Sequence, residues 1–187
     1  LVAVGVAGLA PRLADPRPAV RANTALALGV LGDGPGVVDA LAVCLRDDDA
    51  SVRAAAVRAV ARLGDGAIAA SAPELVRALG GADPALATQL ATMLRATGQP
   101  AIAAALVVGL DANDGRQIAR LLEIVTARAD AADLLAQAFA RPGAQDNAAH
   151  GFVMLGKDRL GPARALLERA RVDISAYVRE LARTTLV

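Results

Sequence analysis

Four features of this chain carry residue types with recognisable chemistry. Asp47, Asp48 and Asp49 place three carboxylates in a row, which invites a cation. The run lacks the alternating ligands and terminal glutamate of a calcium loop, so helix capping and cross-repeat hydrogen bonds account for it. The glycine-rich run from Gly29 to Gly36 invites a phosphate. It follows a helical rather than a strand pattern and lacks the Gly-Lys-Ser/Thr ending of a phosphate loop, so it reads as a turn. Asp146 and His150 are four apart and share one helix face. With a single histidine in the chain, neither metal binding nor acid–base catalysis is expected of them. Cys44 is the only thiol. It lies about three repeats from His150, roughly 25–30 Å at 8–10 Å per helix layer, too far for a nucleophile–base pair. No catalytic residue, metal or cofactor is expected.

Arginine supplies nearly all of the positive charge, since Lys157 is the only lysine. Asp15 precedes Arg21 by six residues, Asp47 precedes Arg53 by six, and Asp173 precedes Arg179 by six. That recurrence predicts a structural ladder, each turn aspartate accepting hydrogen bonds from the arginine of its own or the adjacent repeat. Arg58, Arg62, Arg95, Arg116, Arg120, Arg128 and Arg183 remain once the ladder is set aside. Arg58 and Arg62 are four apart on one helix face, and these cations are either a solvated surface or an anion-selecting groove. Leu26 and Val30 hold the same positions one repeat earlier and fall off the stripe of Val20, Ala27, Leu28 and Leu31, which is the expected core. Exposed aliphatics there mark a contact patch or pack under a preceding segment.

The elements that position these residues are legible as repeats. Val20-Arg21 recurs as Val52-Arg53, and Leu31-Gly32-Asp33 as Leu63-Gly64-Asp65, both with a period of 32 residues. A period of 20 to 50 residues without strand alternation means stacked supersecondary units. Each unit reads as two helices: Val37, Val38, Leu41 and Leu45 form one apolar face, and Val52, Ala56, Ala59, Val60 and Leu63 another. Asp49 can cap the second helix of that copy, and Gly64 and Gly66 end it. Pro35, Pro73, Pro100 and Pro162 fall near the starts of first helices, where a missing amide donor costs least. Fainter copies continue through Leu86, Gly98, Ile118, Leu121, Leu122, Val125, Phe152 and Leu155, and Val178-Arg179 restores the opening pair. The expected organisation is one solenoid domain of six helix pairs, at about 1–33, 34–66, 67–99, 100–131, 132–159 and 160–187. Second helices are expected at 18–32, 50–64, 84–97, 115–128, 145–157 and 174–186.

Composition sets bounds on function. Alanine supplies about a quarter of the 187 residues and tryptophan none. Stability must therefore come from neighbouring repeats stacking, since small side chains bury little area each. The longest apolar stretch, Pro100 to Leu110, is too short for a bilayer, which needs about 20 residues. Leu1 to Ala10 makes a poor signal peptide and is expected to be part of a helix in a longer chain. One cysteine and an arginine-rich composition fit a cytoplasmic protein from a GC-rich bacterial gene. A formal net charge of +1 provides no global field for nucleic acid.

The residues Asp15, Val20, Arg21, Ala25, Leu28, Leu31, Gly32 and Asp33, with their counterparts from Asp47 to Asp65, resemble HEAT repeats. The similarity is greatest to the short bacterial HEAT-like repeats named after phycobilisome lyase subunits. The resemblance is strong over 13–66, weaker over 67–172, and returns at 173–187. It implies an all-α, right-handed solenoid of antiparallel helix pairs that serves as a protein-binding scaffold without enzymatic activity. In such solenoids second helices line the concave face, which makes this chain resemble a basic groove for an acidic protein or peptide. Other readings follow from the same resemblance. A docking domain of a larger multidomain enzyme or membrane protein fits the apolar first helix. Non-specific binding of nucleic-acid phosphates fits the arginines. A bilin lyase-like subunit would want more aromatic side chains than Phe139, Phe152 and Tyr177. DNA glycosylases of similar fold rely on aromatic capture and a strongly basic groove, and di-iron hydroxylases need repeated His-Glu pairs that one histidine cannot supply.

Overall fold

A computed structural model describes residues 6–32, 36–96, 98–170, 172 and 175–186. All regular structure among them is helical. The helices are α1 (Val6–Leu9), α2 (Pro18–Leu31), α3 (Val37–Leu45), α4 (Ala50–Leu63), α5 (Asp65–Ala70), α6 (Ala72–Ala78), α7 (Pro84–Ala96), α8 (Pro100–Gly109), α9 (Gly115–Thr126), α10 (Ala131–Phe139), α11 (Gln145–Leu155), α12 (Ala163–Ala170) and α13 (Ala176–Leu186). Short 3-10 turns occupy Ala10–Ala14 and Lys157–Arg159. The expected second helices correspond to α2, α4, α7, α9, α11 and α13, agreeing to within two residues at each end. Asp33, Pro35 and Asp173 lie outside the described residues.

The helices group into two compact units, residues 1–102 and 103–187. In the first, local chemistry sets the helix ends. Pro18 opens α2, and Pro84 opens α7, each at a position where the lost amide is an orphan anyway. The Asp49 carboxylate caps α4 by accepting the Ser51 amide at 2.8 Å. Gly32 and Gly64 end α2 and α4 with φ of +89° and +88°, values that L side chains rarely adopt. The core is aliphatic: Leu28, Leu41, Val52, Val60, Leu75 and Leu90 are fully buried. The most extensive helix pairing in this unit is α2 along α4, with α3 packed on both.

One expectation fails here. Leu31, placed in the core stripe, is 46% exposed. It lines an open cleft with Gly8, Leu9 and Arg12. The first helix of the third pair is broken, into α5 and α6 at Ser71. Pro73 sits in the first turn of α6, where it cannot donate to the preceding turn.

In the second unit the Asp114 carboxylate caps α9, accepting the amides of Arg116 at 2.8 Å and Gln117 at 3.0 Å. Leu106, Leu110, Leu121, Ile124, Leu135, Phe152 and Val178 are fully or almost fully buried. The rings of Phe139 and Phe152 meet at 6.2 Å, tilted by 58°, a favourable edge-biased contact. Gly151 lets α11 approach its neighbours: a Cβ there would lie 2.5 Å from one Leu135 methyl and 3.0 Å from a Leu122 methyl.

Candidate functional site

Of the ladder residues in the first unit, one arginine pairs with a carboxylate, and in a direction that the spacing did not specify. Arg21 reaches forward to the next repeat, donating from Nε and Nη2 to the Asp47 carboxylate at 2.7 and 2.8 Å. Its Nη1 donates to the Asp15 carbonyl at 2.9 Å. Both partners are largely buried, with side chains 17% and 13% exposed. The fork-to-fork bond with Arg21 holds the Asp47 carboxyl below its ordinary range, aided by the Asp49 amide at 2.9 Å and opposed by burial. Asp15 instead turns its carboxylate to Arg17, two residues on, whose hydrogen bonds lower it to about 2. Arg53 contacts no carboxylate of the ladder. It donates to the carbonyls of Asp47 at 2.8 Å, Asp48 at 2.7 Å and, more weakly, Gly81 at 3.5 Å. Arg179 is half-buried on α13, and its expected partner Asp173 is not described.

The candidate contact residues divide between the units. Leu26, Val30, Arg58, Arg62 and Arg95 belong to the first, and Arg116, Arg120, Arg128 and Arg183 to the second. Arg128 is not an open cation. Its side chain is 6% exposed and grips Asp130 through Nε and Nη2, both at 2.8 Å, because the acid lies two residues on in the turn after α9. Arg116 is exposed and Arg120 half-buried on α9. Arg183 lies 3.8 Å from Glu180 on the same helix. Exposed Glu123 also interrupts the basic character of α9.

The structure brings together Leu26, Val30, Arg58 and Arg62. The Arg21–Asp47 bridge joins the start of α2 to the start of α4. Near their other ends Gly29 lies against Ala59 so closely that a Cβ on Gly29 would fall 2.7 Å from the Ala59 Cα. The two helices therefore run the same way. At about 100° per residue, Leu26 and Val30 turn to one flank of Gly29, and Arg58 and Arg62 to the matching flank of Ala59. Both flanks open to one side, while Leu28, Ala56 and Val60 turn to the other and are buried. Exposure agrees: Leu26 is 37% and Val30 66% accessible, and Arg58 and Arg62 are exposed. Between the two rows the helices meet at Gly29 and Ala59, both small residues. Neither Arg58 nor Arg62 pairs with a carboxylate among the described residues, whereas Arg17, Arg21, Arg46 and Arg141 all do.

Several residues that organise the second unit went unnoticed in the sequence. Arg141 donates to Asp111 from Nη2 and from Nε, the latter at 3.0 Å. Asn147 donates to the Leu110 carbonyl at 2.8 Å. Arg159 donates to the carbonyls of Thr126 at 2.6 Å and Arg128 at 2.8 Å, satisfying acceptors that the end of α9 leaves unpaired. Asp111 and Arg141 are 30 residues apart, and Arg128 and Arg159 are 31 apart. Those separations match the repeat length and were the available signal. Cys44 is buried, which pushes its thiol up to about 11, with Asp47 adding to the shift. His150 is exposed. No group of three or more metal-ligating side chains occurs among the described residues, and no described helix is long and apolar enough to cross a membrane.

Residues 6–94 match the family model described as HEAT repeats. No curated protein matches the chain. Solved structures are similar at low identity. An engineered protein from a structural-genomics consortium is 20% identical with a TM-score of 0.46, covering 95% of this chain and 93% of that one. Human deoxyhypusine hydroxylase in complex with glycerol is 18% identical with a TM-score of 0.37, covering 96% and 82%. A designed armadillo repeat protein is 15% identical with a TM-score of 0.36, covering 97% and 98%. Nothing about function follows from overlaps this loose.

Proposed function

We propose, with residues 6–94 an array of HEAT repeats, that this chain is a protein-binding scaffold whose docking surface for an acidic protein or peptide includes the open flank of α2 and α4. One observation supports this above the others. Arg58 and Arg62 are exposed side by side without an acidic partner among the described residues, next to the exposed aliphatics Leu26 and Val30. Arg17, Arg21, Arg46 and Arg53 of the first unit instead contact its own carboxylates and carbonyls. Solvated guanidinium groups steer anions and give specificity, while the aliphatic row adds apolar area that water does not compete for. Arg95 on α7 and Arg116 on α9 are further exposed cations of the scaffold, each proposed to add attraction within its own unit.

The reading is tested with fluorescein-labelled poly-glutamate, followed by anisotropy at low and at moderate salt. Binding is expected to weaken with salt and to fall about tenfold in Arg58→Glu with Arg62→Glu, because two exposed ion pairs contribute at most about 1 kcal/mol each. Equal affinity for the reversed-charge variant would overturn it. Duplex DNA displacing the peptide at lower concentration would move the assignment to phosphate binding.

A further inference from the structure

We infer that the segment received by this flank is an amphipathic helix, aliphatic along one stripe and acidic along the next, lying lengthwise over α2 and α4. The inference rests on the acidic-partner reading above and adds shape and register to it.

The geometry of the two rows carries the argument. Leu26 and Val30 are four residues apart on α2, and Arg58 and Arg62 four apart on α4. Each pair therefore spans about 6 Å along its helix axis at 1.5 Å per residue. The Gly29–Ala59 contact sets the offset between the rows. Measured from that contact, Leu26 lies three residues before it and Val30 one after, while Arg58 lies one before and Arg62 three after. The side chains thus alternate along the groove as aliphatic, cation, aliphatic, cation, at steps of about 3 Å.

A helical ligand repeats in the same way. Its residues i and i+4 lie about 6 Å apart on one stripe, and i+1 and i+5 lie about 100° round on the next. Aliphatic side chains at i and i+4 then meet Leu26 and Val30, and carboxylates at i+1 and i+5 meet Arg58 and Arg62. An extended strand does not fit, because its neighbouring side chains point to opposite faces. The floor favours close seating: between the rows lie Gly29 and Ala59, and neither projects beyond a methyl group. Charge complementarity selects the ligand, since two guanidinium groups with no acidic partner among the described residues face the groove.

The test compares two labelled 18-residue peptides of identical composition and matched helicity, titrated into the intact chain. One carries Leu at i and i+4 with Glu at i+1 and i+5, and the other has the same residues shuffled off these stripes. The patterned peptide is expected to bind at least about tenfold more tightly. Val30→Asp should remove that advantage; Val30 is exposed, and circular dichroism checks that the helices persist. Arg58→Glu with Arg62→Glu should reject the patterned peptide and accept its Lys-for-Glu counterpart. Equal binding of patterned and shuffled peptides would overturn the helical register and leave the acidic-partner reading standing. Insensitivity of every acidic peptide to the arginine reversal would remove both. Self-association of the chain that Val30→Asp abolishes would assign the flank to a second copy and overturn the inference.

Discussion

The two units tie successive repeats together with the same side-chain types run in opposite directions. In the first, Arg21 projects from inside α2 and reaches forward to Asp47 in the next turn. In the second, Arg141 sits in a turn and reaches back to Asp111 in the turn before. The first arrangement is sheltered, since α2 and α4 close over it; the second leaves Arg141 42% and Asp111 29% exposed. Glycine use differs in parallel. Gly29 brings α2 against the backbone of α4, while Gly151 brings α11 against leucine methyl groups. The first unit thus has a rigid seam fixed by main chain and a shielded ion pair. The second has a seam whose neighbours can shift, held by ties closer to solvent. The proposed docking flank depends on the first unit's seam, because Leu26, Val30, Arg58 and Arg62 keep their offsets only if α2 and α4 do.

Substitution of the two glycines should separate the seams most sharply. Gly29→Ala forces a methyl into the Ala59 backbone and should cost about 3 kcal/mol or more, beyond the gain in helix propensity. Gly151→Ala meets only the ends of leucine side chains, and about 1 kcal/mol of propensity offsets part of the clash. Its net cost should be about 1 kcal/mol or less. Denaturant titration followed by alkylation of Cys44 reads the first unit, because that thiol is buried in α3. Equal costs at the two glycines would erase the distinction.

Removing arginines is the next largest contrast. Arg21→Ala leaves the sheltered Asp47 carboxylate with only an amide partner and should cost about 2–3 kcal/mol. Arg141→Ala breaks a pair that water already reaches and should cost at most about 1 kcal/mol. Comparable losses in urea unfolding would show that exposure does not rank the two ties.

Acid gives the smallest and most graded effect. Asp47, Asp15 and Asp49 in the first unit have depressed pKa values, as does Asp130 in the second. A carboxyl whose folded pKa lies below its unfolded value of about 3.9 binds fewer protons when folded. Its stabilisation is present in full above that value and lost as pH falls through the folded pKa. Arg17, the partner of Asp15, is exposed, so salt screens that pair, and Asp47 should dominate. Between pH 5 and pH 2, Cys44 should become accessible at lower denaturant, and the Asp47→Asn variant should show a shallower dependence. An unchanged slope in that variant would remove Asp47 from the account.

Much of the fold was legible because the signals were local. Proline and aspartate at helix starts and glycine after the ends located the second helices, and the 32-residue recurrence paired them. Local signals failed where a tertiary neighbour decided the outcome. Leu31 matches the core pattern of Leu63, but it borders an open cleft beside Leu9 and Arg12. Arg128 falls on a second helix like Arg58, yet an aspartate two residues later captures it. The docking flank was half visible: Leu26 and Val30 were matched to Arg58 and Arg62 by position. That they lie beside each other depends on Gly29 touching Ala59, a contact that periodicity does not encode. The rungs at Arg141 and Arg159 keep the repeat separation but not the Val-Arg motif, so the motif does not reveal them.

The carbonyl of Gly81 stands where the earlier repeats present an aspartate, and Arg53 still finds it, at 3.5 Å. A carbonyl belongs to every amino acid, and a Cβ at Gly81 would meet the Arg53 guanidinium only at an ordinary 3.5 Å. Point mutation can delete the acid at Asp47, but no single codon change can erase an acceptor supplied by the peptide bond itself. A duplicated unit can therefore drift until its motif is unrecognisable and still offer its neighbour something to hold.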